Sequence, residues 1–104
     1  MTRRKQELDR RRAPRRRTTA VATIHVFGQR MTCSVVDISD SGAKIDIPPE
    51  WIVPPSFYLH IPGERVFSRA SLVWRSTFQA GVSLGEIWAR PEDHPDPAVQ
   101  ALFV

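Results

Sequence analysis

Six arginines stand within nine residues in the stretch DRRRAPRRR (9–17): Arg10, Arg11, Arg12, Arg15, Arg16 and Arg17. Guanidinium groups this close repel one another, and each is a planar, permanently charged fork of donors. The chemistry open to such a cluster is the binding of an anion, whether nucleic acid, a phosphorylated small molecule or an acidic lipid. The bland alternative is a solvated tail that aids solubility. A second stretch, DISDSG (37–42), sets Asp37, Ser39 and Gly42 in a D-x-S-x-x-G spacing. As structure alone it reads as a hairpin connection, with Asp and Ser side chains bonding nearby amides and Gly42 free to take positive φ.

Enzymatic constellations are not found. His25, His60 and His94 are spread over two predicted strands and a tail, without metal-ligand spacing. The five glycines form no phosphate-cradling loop ahead of a helix. Cys33, the single cysteine, sits mid-strand among apolar residues and reads as a small core residue, not a nucleophile. It also leaves no disulfide framework, so a reducing, cytoplasmic setting is expected. No cofactor is called for. No apolar run approaches the ~20 residues of a membrane-spanning helix, so no membrane insertion is expected.

The chain of 104 residues is one domain by length. Its net charge of +4 conceals a split. Residues 1–20 carry nine basic side chains against two acidic ones, a net +7, and the remainder carries six against nine, a net −3. The expected organisation is therefore a flexible basic arm over 1–18 and a mildly acidic body over 19–104.

The elements that must position these groups follow from a period-two pattern. AVATIHVF (20–27) sets Ala20, Ala22, Ile24 and Val26 on one side, and GQR reads as a turn. MTCSVVDI (31–38) alternates Met31, Cys33 and Val35 against Thr32 and Ser34. AKIDI (43–47) points Ala43, Ile45 and Ile47 inward and Lys44 and Asp46 outward. PPEWIVPP (48–55) is a loop by its prolines, carrying Trp51 and Ile52 against the body. SFYLHI (56–61), RVFSRASLVWR (65–75) and AGVSL (80–84) complete six strands. Along 65–75, Ala70, Leu72 and Trp74 oppose Arg69, Ser71 and Arg75. In the tail, Asp96 is the expected N-cap and Pro97 the first residue of one short helix, with Val99, Leu102 and Phe103 on its apolar flank. Six short strands with regular turn signals predict an all-β, six-stranded antiparallel barrel, since closure removes exposed edges.

An R-x-x-x-R run before the first strand, followed some twenty residues later by D-x-S-x-x-G ahead of a third, resembles the PilZ domain. VVDISDSGAKID (35–46) and SLVWRSTFQAGVSL (71–84) add to the likeness, which covers roughly residues 9–85. The resemblance implies a bacterial six-stranded barrel with a terminal helix, binding the second messenger cyclic di-GMP. It also implies the site residues Arg10, Arg11, Arg12, Arg15, Asp37, Ser39 and Gly42. Asp9-Arg10-Arg11 makes Arg11 and Arg15 the best match to the arginine pair, while Arg12 and Arg16 satisfy the same spacing. Arg16 and Arg17 continue the basic run where many members turn apolar.

Cyclic di-GMP presents guanine O6 and N7 to guanidinium forks, phosphates to the same forks, and N1–H and N2 donors to a carboxylate such as Asp37. Ser39 can donate to a ligand oxygen, and Gly42 lets the ligand approach the backbone. Trp74 has two open readings, a core aromatic or a platform for a guanine face. Trp51 and Trp88 read as packing residues, and Arg69 and Arg75 as solvated charges or extensions of the positive field. The expected function is a receptor or adaptor that changes conformation on binding and acts on a downstream protein partner, in motility, exopolysaccharide or biofilm processes. Two rivals stand beside it: a small barrel that binds nucleic acid through the arm, disfavoured by the acidic body, and a PilZ-like protein-interaction module without a ligand.

Overall fold

The computed structural model describes residues 15–103. Seven strands form one antiparallel sheet: β1 (Arg16–Arg17), β2 (Val21–Val26), β3 (Gln29–Ile38), β4 (Gly42–Asp46), β5 (Ser56–Ile61), β6 (Val66–Arg75) and β7 (Gln79–Trp88). Their order is β1-β3-β2-β5-β6-β7-β4, and β4 returns to pair with β3, which closes β2–β7 into a six-stranded barrel. Closure gives each of β2–β7 a partner on both sides. The expected barrel is thus present, with one extra strand.

That extra strand is the end of the basic run. β1 lies along the same edge of β3 as β2 does, pairing Arg16 with Ile38 and Arg17 with Asp37. Residues 15–18, expected within a free arm, are therefore tied to the barrel at its root. Arg10, Arg11 and Arg12 lie outside the described residues.

Alternation decides the core. Ala22, Ile24 and Val26 of β2, Cys33 and Val35 of β3, Ala43 and Ile45 of β4, and Phe57, Leu59 and Ile61 of β5 all point inward and are buried. Each large side chain so buried contributes about 1.5–3 kcal/mol. The β2–β3 turn falls at Phe27 (φ 49°) and Gly28 (φ 79°), not at Gly28–Arg30 as the spacing suggested. Two consecutive positive φ values make a primed hairpin turn whose twist matches the strands.

The 48–55 loop crosses one end of the barrel. Trp51 packs on the core as expected, whereas Ile52 is exposed. Arg75, read as an outward charge that is either solvated or extends the positive field, instead holds this loop. Its guanidinium donates to the carbonyls of Trp51 (2.9 Å), Pro48 (3.1 Å), Pro49 (3.3 Å) and Ser76 (2.8 Å). One side chain thus bonds three carbonyls of a segment whose prolines keep it out of a ladder.

Outside the barrel a second, smaller core covers β5 and β6. Phe67 is wholly buried there, among Tyr58, His60, Trp88, His94 and Phe103. The last of these comes from the C-terminal turn that follows α1 (Pro97–Gln100). Asp96 caps this helix as expected, its carboxylate accepting from the Ala98 amide at 2.9 Å. β7 runs four residues further than the alternation indicated, to Trp88, and so delivers that indole to the cluster.

Candidate functional site

The site lies on the outer face of β3, β4 and β7, and two irregularities create it. Along β3, Met31, Cys33 and Val35 point inward, so unbroken alternation would carry Asp37 inward too. Instead a β-bulge falls at Val36: Val35 pairs with Ile45, but Asp37 pairs with Lys44. The extra residue reverses the faces, sending Ile38 into the core and Asp37 outward. A second bulge, at Val73 of β6, does the same for Trp74. Leu72 pairs with Val82, and Trp74 pairs with Gly81. Trp74 is therefore not a core residue; it is 42% exposed on the outer face.

Asp37 gathers cations. Arg15 Nη1 lies 2.7 Å from Oδ1, and Lys44 Nζ lies 3.7 Å from Oδ2. The Asp37 side chain is only 16% exposed while that of Arg15 is 51% exposed, so the carboxylate sits on the barrel wall and the guanidinium reaches over it from solvent. Gly42 lies beneath that guanidinium: a Cβ there would come within 3.9 Å of Arg15 Nη2 and within 2.8 Å of the Val82 carbonyl oxygen. Its φ is not positive; Gly28 is the only glycine with positive φ among the described residues. The glycine is required for close approach of β7 and not, as expected, for the turn conformation.

The turn itself is built by serine. The Ser39 amide donates to the Gly42 carbonyl (2.8 Å), and the Ser39 hydroxyl accepts from the Ser41 amide (3.3 Å). The Ser39 hydroxyl lies 3.4 Å from the Gly42 carbonyl. The Ser41 carbonyl in turn accepts from Leu84 at 2.9 Å, anchoring the turn to β7.

Arg16 points to the opposite side of β1 from its neighbours. Its guanidinium pairs with Glu64 in the turn between β5 and β6, and the Thr18 hydroxyl donates to the same carboxylate at 2.7 Å. The bond from Arg16 foremost, and then that from Thr18, holds the Glu64 carboxyl below its ordinary value, and the bond to Glu64 raises Arg16 further. Arg15 and Arg16 are thus engaged by two carboxylates, one on β3 and the other in the β5–β6 turn. Beside the site, between Arg17–Thr19 and the Ser34–Val36 stretch of β3, runs an open groove of ≈ 670 Å³ with Asp46 at its edge. Sequence reasoning passed over Glu64, Lys44 and Gly81. For Lys44 the signal was there, since its outward position on β4 was readable; Glu64 and Gly81 are defined by contacts with residues distant or differently registered in the fold, Arg16 and Trp74.

The three histidines, though distant in sequence, converge on the Phe67–Phe103 cluster, where His25 and His60 both contact Phe103 and His94 contacts Phe67. Among the described residues no group of three His, Cys, Asp or Glu could hold a metal ion. Burial pushes the Cys33 thiol up to about 12, which makes it a poor nucleophile. No helix among the described residues is long and apolar enough to cross a membrane.

Comparison with protein-family models finds that the PilZ domain model matches residues 9–94. Comparison with curated proteins finds no match. The match takes in the arginine run, the D-x-S-x-x-G turn, all six barrel strands and the segment leading to His94, and on that coverage the chain belongs to the PilZ domain family, whose members are generally cyclic di-GMP-binding adaptors.

Proposed function

We propose that the protein is a receptor for cyclic di-GMP that binds the dinucleotide between its basic arm and the outer barrel wall and thereby changes the surface it offers to a protein partner. The observation that carries this reading is the contact of Arg15 with Asp37 above Gly42. Here a guanidinium fork, a carboxylate and a patch of bare backbone meet on one open face. Arginine suits the phosphates and the O6/N7 edge of guanine, and Asp37 suits its N1–H and N2 donors. A carboxylate at the centre of the site also selects against bare phosphate. Ser39 holds the turn, and Gly42 keeps the wall flat. Trp74 offers an indole face to a base, a contact worth ~1–3 kcal/mol.

In this reading Arg10, Arg11 and Arg12 close over the ligand from the arm. Engagement of Arg15 with Asp37, and of Arg16 with Glu64, supports Arg11 and Arg15 as the R-x-x-x-R pair. No cofactor is needed, and the protein is not an enzyme: its output is an altered surface. The partner belongs to motility, exopolysaccharide or biofilm control.

Calorimetric titration of the full chain with cyclic di-GMP tests the proposal. Saturable binding is expected, weakened by about 1.5–3 kcal/mol in Arg15→Ala and Asp37→Ala. Absence of saturation at micromolar ligand refutes it. A random oligonucleotide, titrated in parallel, checks the rival reading, which demands tight, steeply salt-dependent binding without base preference.

A further inference from the structure

Strand register places five residues in one row across the outer face: Arg17 pairs with Asp37, Asp37 with Lys44, Lys44 with Gly81, and Gly81 with Trp74. Directly paired residues in a sheet share a face and sit about 4.8 Å apart from strand to strand. Lys44 is confirmed on the Asp37 side by its 3.7 Å approach to Oδ2. Arg17, two positions from Arg15 along an extended segment, shares the face of Arg15, and it has no hydrogen bond or ion pair among the described residues.

At the far end the indole of Trp74 does not stand off the sheet but lies over Gly81. A Cβ on Gly81 would fall 2.1 Å from Nε1 and 2.4 Å from Cε2 of that ring. Only a residue without a side chain lets the indole fold across β7 toward Lys44.

We infer that Arg17 and Lys44 are ligand-contacting cations that flank Asp37, and that Gly81 is a positioning residue that lays Trp74 down as the end wall of the same site. The inference rests on the proposed binding of cyclic di-GMP and deepens it. With Arg15, the row sets three cations around one carboxylate, a local net of +2, which matches the two phosphodiester charges of the ligand. The carboxylate between them reads the base, and cations on both sides serve a ring that carries a phosphate on each side. A linear dinucleotide or a mononucleotide cannot hold two diesters in that fixed relation, so the row is also a specificity device.

The experiment is a titration of the full chain, wild type and the variants Arg17→Ala, Lys44→Ala and Gly81→Ala, with cyclic di-GMP at several salt concentrations. Arg90→Ala serves as a control cation far from the row. Calorimetry and tryptophan emission are recorded together. Each of the two cation variants is expected to bind at least about fivefold more weakly and to flatten the dependence of affinity on salt, while Arg90→Ala does neither. Gly81→Ala is expected to keep its thermal unfolding cooperative, to make the Trp74 indole more open to iodide without ligand, and to lose the ligand-induced change in emission. Wild-type affinity and salt dependence in both cation variants, while Arg15→Ala weakens binding, would remove Arg17 and Lys44 and leave the receptor intact. An unchanged emission response in Gly81→Ala removes the positioning role. A wild type that does not saturate removes the receptor and this inference together.

Discussion

Replacing Gly42 by alanine adds one methyl group, and the structure says where it goes. The new Cβ would sit 2.8 Å from the carbonyl oxygen of Val82, well inside van der Waals contact. That oxygen is backbone, so no rotamer change can clear it. β4 and β7 must part or shift where Gly42 pairs with Ser83 and Ala43 pairs with Val82. Ala43 and Val82 are core residues, so the displacement is paid in packing as well as in ladder geometry. Overpacking of this kind costs about 1–3 kcal/mol, and the stiffer unfolded chain returns about 0.4–1 kcal/mol. At the middle of both ranges the net loss is roughly 1.3 kcal/mol, which lowers the melting temperature by about 5–10 °C in a domain of this size.

Thermal unfolding followed by circular dichroism checks the value, with Gly63→Ala alongside. At Gly63 the added methyl meets only the Ala20 Cβ at 3.8 Å, an ordinary contact, and φ is not positive. That variant is expected to melt at or above the wild type, by up to about 1 kcal/mol of stability, because the unfolded-chain gain meets no clash. If Gly42→Ala melts with Gly63→Ala, close strand approach is not the reason for the glycine.

Arg75→Met keeps the apolar stem and removes the donors to the 48–55 loop. A loss of about 1–3 kcal/mol is expected in urea unfolding, because carbonyls are left unpaired, and proteolysis of the loop should accelerate. Burial holds the His60 imidazole below its ordinary value of 6.5, so the unfolded chain takes up this proton before the folded one does. The stability this group supplies is present above pH 6.5 and is lost as the pH falls from there through the lower folded value. Melting temperature should therefore fall on acidification over that window, and His60→Gln should flatten the profile. Cys33 is buried with its thiol pushed up to about 12, so iodoacetamide should leave it untouched in the native protein and label it readily in urea.

Much of this was legible in the residues. Period-two alternation needs only local sequence, because the pleat sends neighbours to opposite faces whatever the partner strand is. Six strands, the inward set from Ala22 to Ile61, the capped terminal helix at Asp96 and the inert Cys33 all follow from that rule or from local chemistry. The spacing of arginines, Asp37, Ser39 and Gly42 named the family in the same way. The faces of Asp37 and Trp74 were not legible. Each depends on a bulge, at Val36 and at Val73, and a bulge is a mismatch of register between two strands that neither strand carries alone. The same holds for the separation of Arg15 from Arg16. Six arginines look alike along the chain until pairing with β3 sends one to Asp37 and the next to Glu64, 48 residues further on. Composition and alternation settled which groups this protein owns and that a barrel carries them. Closure of the barrel, which sets the register at every edge at once, decided which of them share a face.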